Sequence, residues 1–215
     1  MIDRYNSLCI EQIPVGMMEV NCYLAYDFQT KAGILIDPGD EGSHLMHRIE
    51  EEGLKIVKIV LTHGHADHIG AVEYVRKRLK APLAIGKNDA EMITNAVLNL
   101  SHSLGIPINL APAEVLLSEG NTLEFGSQNL KVVETPGHTP GGISLVGNGF
   151  VICGDLIFAG SIGRVDFPGG DYKTIIDSIK HKILALGDKT VIYPGHGPKT
   201  DVAQEKAFNP FLIGG

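Results

Sequence analysis

The stretch His63-Gly64-His65-Ala66-Asp67-His68 constrains this chain more than any other. Every residue in it except Gly64 and Ala66 can ligate a metal, and it directly follows an apolar run, Lys55-Ile56-Val57-Lys58-Ile59-Val60-Leu61, that reads as a buried strand ending at Thr62. A strand end hands its next residues to a loop on a rigid scaffold, where chemistry is usually carried. Imidazoles two residues apart point the same way in extended backbone, so His63 and His65 suit one metal. Asp67 and His68 fall where Ile69-Gly70-Ala71-Val72-Glu73-Tyr74-Val75 begins a helix, and they can serve a second metal beside the first. The competing reading, a histidine-rich surface loop, requires neither this order of ligand types nor a strand–helix junction.

Further apolar strands end in a candidate ligand. Val132-Val133-Glu134-Thr135-Pro136-Gly137-His138-Thr139-Pro140-Gly141 places His138 in a turn framed by proline and glycine, Phe150-Val151-Ile152-Cys153-Gly154-Asp155 delivers Asp155, and Thr190-Val191-Ile192-Tyr193-Pro194-Gly195-His196-Gly197 delivers His196. Each alone is weak, because a histidine after Pro-Gly is more often structural. Together they set five histidines and two aspartates at the same kind of strand end. Counting ligands gives a binuclear assignment: His63, His65 and His138 on one metal, Asp67, His68 and His196 on the other, and Asp155 bridging. Each metal keeps room for a shared water, whose pKa two dications would bring toward neutrality. Imidazole and carboxylate donors suit zinc, iron or manganese; zinc is the first expectation. His44, His47, His102 and His181 lie on helical segments among polar neighbours and read as solvated.

The remaining pattern sets these ligands in order. Strands are expected over 8–13, 20–26, 32–36, 55–61 and 82–85, and helices over 42–52, 68–79 and 87–104. The second half repeats the plan, with strands over 115–117, 122–125, 130–134, 142–146, 150–153 and 190–193 and a helix over 172–186. Two mixed sheets packed face to face, with helices outside, would bury this alternation. The 26 glycines and 11 prolines in 215 residues supply the many turns such a plan needs. That length suits one large domain over 1–215 or a tight pair of half-domains.

Composition narrows the partners. A net charge of -7 and no long basic run leave little electrostatic footprint for nucleic acid. No apolar stretch approaches the ~18 residues of a membrane span, and the N-terminus, Met1-Ile2-Asp3-Arg4-Tyr5-Asn6, lacks an apolar signal core, so a cytoplasmic protein is expected. Cys9, Cys22 and Cys153 form no metal or disulfide pattern and read as small buried hydrophobes. Oligomeric state is not legible.

At these residues the chain resembles the metallo-β-lactamase-fold hydrolases. The matching segments are Asn21-Cys22-Tyr23-Leu24, Leu35-Ile36-Asp37-Pro38-Gly39, Thr62 to His68, Pro136 to Gly141, Gly154-Asp155 and Pro194-Gly195-His196-Gly197. The resemblance implies an αββα four-layer sandwich, with the metals at one edge where the halves meet. Within that superfamily the chain is most similar to glyoxalase II (hydroxyacylglutathione hydrolase) of the short bacterial type, through the loop from Gly160 to Asp171 and the tail Asn209-Pro210-Phe211-Leu212. That resemblance implies hydrolysis of S-D-lactoylglutathione or a related small-molecule thioester. A metal-bridging hydroxide would be the nucleophile, and Asp67 would orient it.

The longer glyoxalase II enzymes carry a C-terminal helical domain that helps hold glutathione; this chain ends at Gly215, and none is expected. They also place a glutathione-contacting tyrosine after the last ligand histidine and a lysine after the bridging aspartate. Here those places hold Gly197-Pro198-Lys199-Thr200 and Arg164. Arg164 is therefore the candidate substrate-binding residue, pairing with a substrate carboxylate, or else it shapes its loop through Asp166 or Asp171. The Gly163-Arg164-Val165-Asp166-Phe167 loop also resembles persulfide dioxygenases, which implies the alternative of one Fe(II) on His63, His138 and Asp155. A β-lactamase is less favoured, since the subclass best known for that activity has cysteine where Asp155 stands. Asp37 reads first as a turn former in Asp-Pro-Gly and second, with Thr139, as a partner of the ligand histidines.

Overall fold

The computed structural model describes residues 2–213, and their strands form two mixed sheets that share one buried seam. The first sheet runs in chain order: β1 (Ile2–Tyr5), β2 (Leu8–Val15), β3 (Val20–Asp27), β4 (Ala32–Ile36), β5 (Lys55–Leu61), β6 (Leu83–Gly86) and β7 (Val115–Leu117). Its first four strands pair antiparallel and its last four parallel. In the second half come β8 (Thr122–Phe125), β9 (Gln128–Glu134), β10 (Ile143–Gly147) and β11 (Phe150–Gly154). A hairpin of β12 (Ile157–Phe158) and β13 (Ser161–Ile162) follows, then β14 (Val191–Pro194) and β15 (Thr200–Asp201). The second sheet has the order β15-β14-β11-β10-β9-β8, and among the described residues its only parallel pair is β11 with β14.

The period of two in β3 decides the layering. Tyr23 and Ala25 face the other sheet, where they pack with Ile36, Val60, Leu145, Ile152 and Tyr193. Val20, Cys22, Leu24 and Tyr26 face the opposite way, onto helices α1 (Gly42–Glu51) and α3 (Val72–Leu79) through Leu45, Ile49, Val72 and Val75. A strand covered on both faces reads as a continuous apolar run, and every residue of β3 is buried. The second sheet is covered in the same manner. Val151, Cys153 and Ile192 pack under α4 (Tyr172–Ser178), its helical continuation over 179–186, and α5 (Val202–Phe208). The result is the αββα sandwich. Each fully buried Leu or Ile in these layers contributes about 1.5–3 kcal/mol. Among the described residues no helix is long and apolar enough to cross a membrane.

The helix expected over 68–79 is interrupted. A short α2 (Ala66–Ile69) stops at Gly70, and α3 starts at Val72. A Cβ on Gly70 would lie 2.3 Å from the Gly39 carbonyl oxygen, and Ala71 N donates to Pro38 O at 3.0 Å, so the Asp-Pro-Gly turn docks into the break. The helix expected over 87–104 does not form. Only short 3-10 turns at Lys87–Asp89 and Met92–Thr94 precede a string of tight turns. Polar side chains have captured the backbone there: Asn95 Oδ1 accepts from Val97 N at 3.0 Å, Asn99 Oδ1 from Ser101 N at 3.0 Å, and Asn109 Oδ1 from Ala96 N at 2.9 Å. Strand β1, the β12–β13 hairpin and α5 are not legible in the sequence, being short and only partly apolar.

Candidate metal centre

Strands β5, β9, β11 and β14 all end at the same edge of the sandwich, and each releases a candidate ligand there. The fold thereby brings His63, His65, Asp67, His68, His138, Asp155 and His196 into one site. Ligand atoms of His63, His65 and His138 lie within 4.8 Å of one another, as do those of Asp67, His68 and His196 and those of His63, His68 and Asp155. Asp155 stands between the first two groups. Its Oδ1 is 3.3 Å from His68 Nε2, and its Oδ2 is 3.7 Å from His138 Nε2 and 3.6 Å from His196 Nε2. That reach requires Gly195, because a Cβ there would sit 2.0 Å from Asp155 Oδ1.

Hydrogen bonds behind the histidines aim them inward. His138 Nδ1 donates to Arg164 O at 2.7 Å, and His196 Nδ1 donates to Met18 O at 3.0 Å. A carbonyl only accepts, so Nδ1 carries the proton in both rings and Nε2 faces the site, where His138 Nε2 lies 2.8 Å from His65 Nδ1 and His196 Nε2 lies 3.2 Å from Asp67 Oδ2. His68 Nδ1 donates to Asp37 Oδ2 at 3.0 Å. Thr62 Oγ1 donates to the same oxygen at 2.6 Å and lies 3.2 Å from His63 Nδ1, so Asp37 orients His63 through Thr62. Asp37, with φ at +49°, is thus both the turn former the sequence favours and the partner of two ligand histidines. Thr139 is no such partner, since its hydroxyl donates to Asp89 Oδ2 at 2.7 Å.

Asp89 is missed by sequence reasoning because it sits in a run whose apolar spacing suits a helix. Buried, it accepts from Thr139 Oγ1 and, at 2.6 Å, from Gly141 N, and it also faces the N–H of Gly64. One carboxylate therefore clamps the His138 loop to the His63–His65 loop. Burial raises its pKa above the usual carboxylate value despite these donors. On the far side, Asn21 Nδ2 donates to Pro194 O at 3.0 Å and Gly197 O at 2.9 Å, fixing the His196 turn onto β3.

The electrostatics suit cations. Burial holds His63 well below the usual imidazole value and His65 at about 3, so both are neutral donors at physiological pH. Burial pushes Asp155 and Asp67 upward, but neighbouring histidines, His68 foremost, more than reverse it and both stay ionised. Burial alone would lower His68; the carboxylates of Asp155, Asp67 and Asp37 raise it well above the usual value. His63 Nε2, His65 Nε2, His68 Nε2 and Asp155 Oδ1 are buried without a hydrogen-bond partner. Buried polar atoms left unpaired are costly, and a divalent metal on nitrogen and carboxylate donors would satisfy such a set. Cys153 contributes nothing: burial pushes its thiol up to about 12, and it packs beneath α4.

Arg164 lies along the opening that leads to the ligands, with its side chain paired inside its own loop. Its Nε and Nη2 donate to Asp166 at 2.9 and 2.7 Å, and its guanidinium lies 4.2 Å from the Phe167 ring centroid. Its carbonyl, not its side chain, reaches His138. His44, His47, His102 and His181 are exposed, and all three cysteines are buried.

The family model described as the metallo-beta-lactamase superfamily matches residues 15–196. Among curated relatives, "Probable metallo-hydrolase YqgX" of Bacillus subtilis is 40% identical over 94% of this chain and 97% of its own. "Hydroxyacylglutathione hydrolase GloC" of Haemophilus influenzae is 38% identical over the same shares. Among solved structures, BLEG-1 B3 metallo-beta-lactamase superposes with a TM-score of 0.91 at 38% identity, covering 95% of this chain and all (100%) of that one. ETHE1 from Myxococcus xanthus gives 0.80 at 28%, covering 95% and 84%. TTHA1623 in a di-iron-bound form gives 0.83 at 35%, covering 94% and 100%.

Proposed function

The chain belongs to the metallo-beta-lactamase superfamily, and we propose that within it the protein is a binuclear metal-dependent hydrolase of small-molecule thioesters. The observation that carries the reading is the pair of ligand groups, His63–His65–His138 and Asp67–His68–His196, with Asp155 between them and four buried donor atoms unpaired. The relative named hydroxyacylglutathione hydrolase supports the thioester, and the di-iron form of TTHA1623 supports the count of two metals. Zinc remains the first expectation, with iron or manganese able to use the same donors.

Two divalent ions held there would supply Lewis acidity and a water deprotonated near neutral pH. The chain's own residues do the rest. Asp67, ionised and 3.2 Å from His196 Nε2, accepts a hydrogen of the attacking water and orients it. His63, His65 and His138 would hold the other ion, which would supply the Lewis acidity that polarises the substrate carbonyl. A thiolate leaves without needing a proton, so no general acid is required on the leaving side.

The resemblance of the Gly163–Phe167 loop to persulfide dioxygenases supports a second reading, a mononuclear iron enzyme of that kind using His63, His138 and Asp155. Elemental analysis of protein purified without chelator, combined with a substrate panel, separates the readings. Two equivalents of metal and hydrolysis of S-D-lactoylglutathione or another thioester are expected. One iron that no second metal joins, with oxygen uptake on glutathione persulfide, would replace the hydrolase by the dioxygenase. Cleavage of a β-lactam but of no thioester would align the chain with its BLEG-1 neighbour instead.

A further inference from the structure

We infer that the cavity opening onto the metal centre is built for an uncharged, apolar acyl chain. On the hydrolase reading above, on which this rests, the preferred substrates are then thioesters of medium-chain apolar acids rather than of short hydroxy acids. The cavity has a volume of about 640 Å³, and His65, Asp67, His138, Asp155 and His196 lie along it. Its walls are Met18, Val97, Leu100, Leu104, Phe158 and Phe167. Met18, Val97 and Leu104 are 56%, 64% and 59% exposed, which gathers apolar surface around one opening. Apolar groups gathered at one concave site mark a binding surface, whereas scattered ones do not.

The wall is held rigidly against the ligands. Asn99, buried, donates through Nδ2 to Met92 O at 3.0 Å and Ile108 O at 2.9 Å, and its backbone carbonyl accepts from Ala66 N at 2.9 Å. Ala66 lies between His65 and Asp67, so the wall is tied to the ligand motif itself. The next residue, Leu100, has φ at +70°. That is a costly conformation for leucine, and asparagine or glycine would fill it more easily. Turning a leucine side chain into the cavity at a strained position is the kind of local conflict found at functional sites.

Charge points the same way. Among the described residues Arg164 is the one lysine or arginine along the cavity, and Asp166 already occupies its guanidinium in a two-point pair. Ser103 is, among the same residues, the one hydroxyl on the wall. A hydroxyacyl group would thus meet mostly carbon, whereas an alkyl chain would displace water from it.

The test uses metal-replete enzyme and thioesters of N-acetylcysteamine, a neutral carrier, with acetyl, butanoyl, hexanoyl and octanoyl groups. Complete burial of a methylene is worth nearly fourfold, so kcat/KM should rise about two- to threefold per methylene in this half-open cavity. Leu100→Asn keeps the left-handed backbone and should hold the melting temperature while flattening that slope; Leu104→Ser, at an exposed position, should flatten it as well. A second series lengthens the thiol side at constant acetyl. A rise confined to that series, or a flat acyl series with active enzyme, overturns the acyl assignment and leaves the hydrolase standing. Calorimetry with ketone analogues, in which CH2 replaces the thioester sulfur, reads the site without turnover. If no thioester is cleaved yet these analogues bind more tightly with length, and less so in Leu100→Asn, the hydrolase reading fails and the apolar site survives. Length-independent binding removes the inference.

Discussion

On the proposed binuclear reading, replacing Asp37 by asparagine should loosen both metals, although Asp37 belongs to neither ligand group. Its Oδ1 accepts from Thr62 N at 2.7 Å, and its Oδ2 accepts from Thr62 Oγ1 at 2.6 Å and from His68 Nδ1 at 3.0 Å. The amide that replaces this carboxylate has the same shape but only one acceptor end. Whichever way it turns, its NH2 opposes a donor: Thr62 N–H on one side, or Thr62 Oγ1–H and His68 Nδ1–H on the other. Hydrogen bonds to a charged group contribute about 1.5–3 kcal/mol each. Only part of that loss passes to the metals. Outer partners of ligand histidines typically govern roughly 10–100-fold in affinity, which is about 1.4–2.7 kcal/mol. His68 belongs to one ligand group and His63, reached through Thr62, to the other, so both sites should weaken by that range. The assay is competition with a chromophoric chelator, paired with denaturant unfolding of the metal-free protein to isolate the structural cost. Asp37→Asn with wild-type metal affinity at both sites but a lower unfolding midpoint would refute the reasoning and reduce Asp37 to the turn former of Asp-Pro-Gly.

Asp155→Ala removes the carboxylate that stands between the two ligand groups and, on the binuclear reading, should cost more than the roughly 10–100-fold of an outer partner; near-normal turnover with two bound metals would remove Asp155 from the proposed bridging place. Asp27→Asn tests acid stability. Asp27 is held well below the usual carboxylate range, first by the Ser127 backbone N–H and further by the Ser127 hydroxyl and the N–H groups of Gln29 and Thr30. Because its folded pKa is depressed, its contribution is complete above the unfolded value of about 3.9 and is lost as pH falls toward the folded one. The variant should therefore be about 2 kcal/mol less stable at pH 7, with the gap narrowing below pH ~4; a gap that widens in acid contradicts the argument. Arg164→Ala leaves Asp166 unpaired at the cavity mouth, so KM for a carboxylate-bearing thioester should rise roughly two- to fivefold over that for a neutral one. Equal effects on both substrates with a lower melting temperature would show a residue that only shapes its loop.

What the sequence can reveal follows from how each part is specified. Ligands at strand ends are legible because the strand is written in apolar residues and the ligand in its own chemistry, so Leu61 then His63, or Ile152 then Asp155, can be read directly. The layering is legible because β3 is buried along its whole length and β5 is buried over Ile59, Val60 and Leu61, so both show mostly apolar runs. The cavity wall is not. Residues 87–104 carry apolar spacing that suits a helix, and Asn95 and Asn99 defeat it by bonding the backbone locally, a competition decided by geometry and not by composition. Asp89 is invisible for a related reason: its partners Thr139 and Gly141 lie about fifty residues away, and only the sandwich brings the two loops together. The same holds for Arg164, where side chain and carbonyl serve different ends. The guanidinium is what a sequence displays, yet the carbonyl oxygen aims His138 at the site, and any residue there could supply it. The metal-ligand set of this chain is written in residue types, whereas the shape of the cavity beside it is written in turns, which is why the ligands are read more readily than the cavity they face.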